Sequence, residues 1–373
     1  TSALVISMSL STQLLRRSLP WAEPGREAKE GTDMDETSYL LSSPANARSL
    51  RERLVRLEGN VAESKELASD ATSFASQHFD VVVVGGGFAG TAAAINLARA
   101  NRKVCLVDAG TPRNRNSEHM HGVIGLDAAN PSALLARGHA EFVSYEGLLI
   151  DGRVETLEHL DTGDWLVKLA SGEASTASQV LVATGITDVL PEVPGLSEMW
   201  GTRVFHCPYC HGYEVNGKNL GVVGGKNPGF TTRIATLLTK WASSVTLYAN
   251  GMDLSPEQRE RLEQCGVALV IDDVSRVSPA TDDDHAVEIA TGSGSVRYEA
   301  CFTGPEFKPN DELLRGAGCT VADGWVQVEG GKTSQPGLWA VGNVVSSPDQ
   351  VSQALGSGAA IAIAIDQHLF DQG

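Results

Sequence analysis

The chain has 373 residues, 42% of them apolar, with 39 glycines and a formal charge of −17. That length and glycine content suit an α/β protein of two or three domains with tight βα turns. The acidity argues against nucleic acid or an anionic membrane as partner, since both reward clustered Lys and Arg, and leaves small molecules or proteins.

The opening TSALVISMSLSTQLLRRSLPW has two arginines but neither a long apolar stretch nor a small-residue cleavage site. No run approaches the roughly 20 apolar residues that span a bilayer. A soluble, cytoplasmic protein is expected. Residues 1–77 lack a strand-turn-helix rhythm and read as an acidic, partly helical extension. Within it, SSPANARSLRERLVRLEGN (42–60) carries helix punctuation: Ser43 as N-cap, Pro44 at the first helical position and Gly59 beyond the end. Leu50, Leu54 and Leu57 fall on one face among charges, an amphipathic helix that could lie on its own enzyme. Residues 34–68 resemble the C-terminal, toxin-binding portion of Phd/YefM-type antitoxins, and ALVISM (3–8) resembles the strand before it; residues 9–33 interrupt the pattern. The resemblance implies a toxin partner for residues 34–68.

FDVVVVGGGFAGTAAAINLARANRKVCLVDAG (79–110) reads strand, glycine turn, helix, strand. Gly85, Gly87 and Gly90 fit G-x-G-x-x-G directly after the apolar run Val81–Val84, and Asp108 stands where a ribose-binding acid belongs. The glycines permit the turn, close approach to a pyrophosphate and helix–strand packing, while the helix N-terminus offers partial positive charge. Phe88 and Ala89 complete the turn. The bound dinucleotide is FAD or NAD on these residues alone.

HCPYCHGYE (206–214) holds the only close pair among six cysteines, Cys207 and Cys210; Cys105, Cys265, Cys301 and Cys319 stand apart. The pair is open to three readings: half a zinc site, a structural disulfide or a redox couple. Zinc fits poorly, because His206, Cys207, Cys210 and His211 within six residues cannot readily surround one tetrahedral ion, and no second ligand pair is visible. No metal is expected.

NLGVVGGKNPGFTTRIATLLTKWASSVTLYANG (219–251) repeats the strand-turn-helix-strand plan. If Gly224 is the first fingerprint glycine, Lys226 occupies the place of the second and Pro228 stiffens the turn before Gly229. A side chain there obstructs a pyrophosphate, unless Lys226 binds phosphate itself in a remodelled loop. No arginine cluster follows to hold a 2′-phosphate. NADPH use is therefore left open and is not expected to be efficient.

From Phe79 onward the chain resembles the low-molecular-weight thioredoxin reductases, through GGGFAG, the ATG of QVLVATGITDVLPEVPG (179–195), the Cys-x-x-Cys, FTGPEFKPN (302–310) and TSQPGLWAVGN…Q within 333–370. The resemblance implies two Rossmann-like dinucleotide-binding domains of the three-layer ββα type in an α/β fold, the second inserted into a split FAD domain. The expected division is 78–193 and 311–373 for FAD, and 194–310 for the inserted NAD(P)-binding-like domain. It also implies FAD as the first-domain nucleotide, contacted by Ala183, Thr184, Gly185, Gly342, Asn343, Gln350 and Val351 in addition to the first turn, and a homodimer. CPYCHG and VDAGTPRNRNSEHMHG (107–122) are more similar to the FAD-dependent dithiol oxidases that close disulfides in bacterial and fungal natural products, where the family's usual Asp is replaced by His211 and its Gly-Asp by Gly342-Asn343.

That branch implies oxidation of a small-molecule dithiol through Cys207 and Cys210, with oxygen as final acceptor. The alternative is an NADPH-dependent thioredoxin reductase acting on a thioredoxin-like protein, and a role of another class is a flavoprotein scaffold or toxin-binding regulator. By analogy Cys207 meets substrate and Cys210 faces flavin. His211 is expected as acid and base at its ordinary pKa near 6.5, its imidazolium stabilising a thiolate, with helix-start amides lowering the thiol pKa further. His121 is the second candidate, ahead of His119; His206 and Glu214 are expected as assistants or as surface residues.

Overall fold

A computed structural model describes residues 73–281, 286–346 and 348–372. The antitoxin-like segment 34–68, the helix expected at 42–60 and the strand at 3–8 lie outside them. Strand β1 (His78–Val84) carries four consecutive buried valines, as a strand covered on both faces should. Val81 and Val83 pack on one side of the sheet with Leu97, Ile361 and Ile365, while Val82 and Val84 pack on the other with Phe79 and Trp165.

Helix α1 (Phe88–Arg99) turns a face of alanines to the sheet, and β2 (Val104–Asp108) returns parallel to β1 with Val81 opposite Val104. Helix α2 (Pro131–Ser144), with the Asn130 side chain accepting from the Ala133 amide, leads to β3 (Leu148–Asp151). An antiparallel excursion follows through β4 (Val154–His159), β5 (Trp165–Leu169) and the start of β6 (Ala174–Val182). The length of β6 lets its first half pair with β5 while the strand runs parallel to β1 on its other side. Strand order is β3-β2-β1-β6-β5-β4.

The chain then leaves this sheet along β7 (Ile186–Val189) and builds a second one. After β8 (Val204–Phe205) come the single turn α3 (Pro208–His211), β9 (Asn219–Val223), α4 (Pro228–Leu238), β10 (Ser244–Tyr248), α5 (Pro256–Gln264) and β11 (Ala268–Val270). A three-stranded antiparallel sheet of β12 (Val274–Pro279), β13 (Val287–Thr291) and β14 (Gly294–Tyr298) precedes β15 (Ala300–Thr303), which completes a parallel sheet in the order β11-β10-β9-β15-β8. Parallel strands joined by helices are the Rossmann plan, and here it occurs twice.

Strand β16 (Glu306–Pro309) runs antiparallel to β7, Glu306 opposite Val189, so one narrow ribbon carries the chain out of the first unit and back. Helix α6 (Glu312–Gly316) and the short strands β17 (Val321–Ala322) and β18 (Trp325–Val326) follow. Then β19 (Leu338–Ala340) adds to the far half of β6, which closes the first sheet with residues from both ends of the described chain. Helix α7 (Val351–Gln372) lies on α1, and the approach is close because a Cβ on Gly358 would overlap the carbonyl of Ala89. Among the described residues no helix is long and apolar enough to cross a membrane.

Candidate active site

The first glycine turn follows directly from its residues. Gly85 adopts φ +106°, a conformation open chiefly to glycine, and a Cβ there would lie 2.5 Å from the carbonyl oxygen of Ala183. A Cβ on Gly90 would overlap the Gly85 carbonyl, so α1 can start this near the strand only with glycine at that position. Around Gly87 a Cβ would meet nothing within 4 Å, and this residue N-caps α1 without any side-chain cap. The helix start therefore faces open space with its amides and partial positive charge.

Gly86, between the fingerprint glycines, is also required: its amide donates to Asp108 Oδ1 at 3.1 Å, and a Cβ would lie 2.5 Å from the Asp108 carboxyl carbon. Its carbonyl accepts from Thr91 Oγ1 at 2.9 Å, and His139 Nε2 lies 2.9 Å from the same oxygen. These braces sit in the two helices beside the turn and belong to no motif.

The other predicted cofactor segments converge beside this turn. Ala183 contacts Gly85, and Gly342 lies against Ala89. Asn310, at the end of FTGPEFKPN, stitches the ATG segment: its side-chain amide donates to the Thr184 carbonyl at 3.0 Å, and its carbonyl accepts from Thr184 Oγ1 at 2.6 Å. Asn343 Oδ1 accepts from the Asp349 amide at 2.8 Å, which fixes the entry to α7 at Gln350 and Val351. An uncapped helix start, a glycine with open space beside it and an acid at the end of β2 fit a dinucleotide such as FAD.

Cys207 and Cys210 form a disulfide with Cα atoms 5.2 Å apart. Gln350 Nε2 lies 3.8 Å from Cys210 Sγ, so the Cys210 sulfur faces the segment entering α7. Tyr209 and Tyr213, 60% and 82% exposed, present aromatic rings to solvent on either side of Cys210 in the sequence. The expectation of thiol activation by a helix start needs correction. Only one turn exists here, and the amides of Cys210 and His211 are both committed to the Cys207 carbonyl, so little dipole is available to a thiolate.

His211 also departs from expectation. Its ring stacks on Phe205 with centroids 4.1 Å apart, and burial, helped by the nearby His121, pushes its pKa down to about 4. It is a weaker base than the acid and base expected at the ordinary value near 6.5, and its imidazolium form is disfavoured. His121 does meet this cluster: Nδ1 lies 2.8 Å from Asp127 Oδ1 and Nε2 lies 3.4 Å from Glu214 Oε1. His119 faces elsewhere, with Nδ1 3.1 Å from the Ala128 carbonyl. His206 is half-buried, stacked on Trp200, and its pKa is lowered to about 3 chiefly by burial.

The second glycine turn is built differently. Asn227 N-caps α4, its Oδ1 accepting from the Phe230 amide at 3.2 Å while its side-chain amide donates to the Pro305 carbonyl at 3.1 Å. Pro191 sits against Gly225, where a Cβ would lie 2.6 Å away, and Lys226 is exposed. At this helix start the chain's own side chain takes up the Phe230 amide. The Asn-Pro pair at 227–228 was a readable cap signal.

Two Rossmann units joined by a ribbon, with a disulfide in the second facing the first, define a dinucleotide-dependent thiol-disulfide oxidoreductase. The model of the pyridine nucleotide-disulphide oxidoreductases matches residues 79–358, and the chain belongs to that family. It is 30% identical to thioredoxin reductase aclD of Aspergillus oryzae over 79% of this chain and 98% of that one. The crystal structure of HlmI matches with a TM-score of 0.75 and 40% identity, over 81% of this chain and 95% of that one. The crystal structure of an oxidoreductase from Agrobacterium tumefaciens matches with a TM-score of 0.72 and 30% identity, over 80% and 100%. The protein is a thioredoxin reductase-like, FAD-dependent enzyme acting on sulfur groups.

Proposed function

We propose that the enzyme oxidises a substrate dithiol to a disulfide through Cys207 and Cys210, with oxygen as the final acceptor. The observation that carries this direction is the second glycine turn. Asn227 caps the start of α4, Pro191 packs on Gly225 and Lys226 replaces the second glycine, which together disfavour nicotinamide dinucleotide as electron donor.

A substrate thiolate attacks Cys207 Sγ, the Cys207–Cys210 bond breaks, and Cys210 leaves with the electron pair. The second substrate thiol, as its thiolate, attacks the substrate sulfur of that mixed disulfide and releases Cys207. The substrate has lost two electrons and two protons, and the enzyme pair has gained them. His211, neutral at working pH, takes a thiol proton and, being a weakened base, holds it only in passing. His121, with Asp127 and Glu214 at its two ring nitrogens, stands near enough to His211 to oppose a lasting charge there. Gly85, Gly87, Gly90 and Asp108 hold the FAD with Thr184, Gly342, Asn343 and Gln350. When bound, FAD supplies two-electron acceptance from the enzyme dithiol and donation to oxygen.

The second reading, an NADPH-dependent thioredoxin reductase, is favoured by the name of the Aspergillus relative. Oxygen consumption separates the two. The oxidase reading expects one oxygen consumed per small dithiol without NADPH; turnover that requires NADPH and a thioredoxin-like protein would refute it. Residues 73–77, read from the sequence as part of the extension, belong to the first unit, since Phe74 is buried in its core; a scaffold or toxin-binding role through residues 34–68 therefore predicts loss of that partner, with dithiol turnover unchanged, when residues 1–72 are deleted.

A further inference from the structure

Arg113 lies in the connection between β2 and α2, within the segment 107–122, and it centres a tight polar cluster beside the disulfide. Its Nε and Nη2 donate to the two oxygens of Asp188 at 2.8 and 2.7 Å, and Nη2 lies 3.0 Å from His206 Nε2. Asp188 belongs to β7 and its side chain is only 6% exposed. The guanidinium also lies 5.4 Å from the ring centroid of Phe307 on β16. One side chain thus touches both strands of the connecting ribbon and the residue that precedes Cys207.

Chemistry decides the direction of the contact with His206. A guanidinium has only donors and keeps its charge, so His206 Nε2 must accept and the ring proton must sit on Nδ1. A second proton would oppose two donors and two cations at the same place. The geometry points to Arg113 as a positioning residue that holds His206 as the neutral Nδ1–H tautomer and leaves proton handling at the disulfide to His211 and His121. The catalytic consequence rests on the dithiol reading above; the charge state of His206 does not. Burial and the Arg113 charge keep the His206 pKa low, Asp188 pulls it upward, and His211 adds to the lowering. Removing Arg113 alone leaves the ring facing the Asp188 carboxylate, which favours protonation.

Nitrogen-15 NMR of histidine-labelled, FAD-loaded full chain tests this between about pH 5 and 8.5, the range in which an ordinary histidine titrates. Loss of one signal set in His206→Gln assigns the resonances. In the unsubstituted protein His206 is expected to keep the Nδ1–H pattern throughout. In Arg113→Met it should titrate within the range, and the pH profile of dithiol turnover should gain an ionisation. Arg113→Met/Asp188→Asn leaves no unpaired buried carboxylate to threaten folding, and should show mixed tautomers. Titration of His206 in the unsubstituted protein, or an unchanged Nδ1–H pattern in the double variant, would overturn the assignment. If the NMR results hold while no dithiol is oxidised, the oxidase reading fails and the tautomer assignment stands.

Discussion

The two glycine turns of this chain start from the same plan and end in opposite states. At the first, Gly87 opens onto space and α1 begins without a side-chain cap; at the second, Asn227 caps α4 and Pro191 fills the side next to Gly225. The difference teaches that two turns of one plan can leave one helix start open and cap the other with the chain's own side chain. The second unit keeps its sheet and its packing while its own side chains take up the helix start. On the oxidase reading proposed above, its task is the presentation of a disulfide to the first unit.

The largest expected effect lies at that disulfide. Cys207→Ser should lower dithiol turnover on the order of 10³-fold or more, as loss of a nucleophilic couple does, with FAD content unchanged. Retained turnover would remove the second unit from catalysis altogether. The comparison of the turns is sharpened next by one substitution made twice. Gly90→Ala drives a Cβ into the Gly85 carbonyl and should destabilise by about 1–3 kcal/mol or more, with loss of FAD. Gly229→Ala, at the equivalent place, meets nothing within 4 Å and should stay within about 0.5 kcal/mol in thermal melting.

Opening the second turn should have a smaller effect on stability. Lys226→Gly with Asn227→Ala removes a helix cap worth about 1 kcal/mol. It is expected to increase flavin reduction by NADPH, measured anaerobically against the parent; no increase would mean that the plug is not what limits nicotinamide use.

A final effect is read from pH. Burial, the largest cause, lowers His211 to about 4 and His206 to about 3, below their ordinary value of 6.5. Between pH 6.5 and about 4 the unfolded chain then binds more protons than the folded one, so stability falls as pH drops through that window and is regained above it. Melting temperatures should show this slope, and His211→Asn should flatten it.

Much of the first turn was legible because its determinants are local: a valine strand, three glycines and an acid within one strand-turn-helix-strand unit. The Cys207–Cys210 couple and the cofactor role of the ATG and C-terminal segments were read through resemblance to a family. The charge state of His211 was not, since it depends on Phe205 stacking and burial that only the packed structure supplies. Arg113 escaped for a similar reason, because Asp188 lies 75 residues away and His206 lies 93. At the second turn Lys226 and Pro228 drew the reading, while the cap on the helix start is Asn227 between them.

The claim that electrons flow from substrate thiols toward FAD is tested most directly by anaerobic rapid mixing. The oxidised enzyme is mixed with a small dithiol in one syringe series and with NADPH in another, and flavin absorbance is followed. Rapid bleaching by the dithiol, with none or very slow bleaching by NADPH, is the predicted result. Rapid bleaching by NADPH and an unresponsive flavin with dithiols would contradict the account.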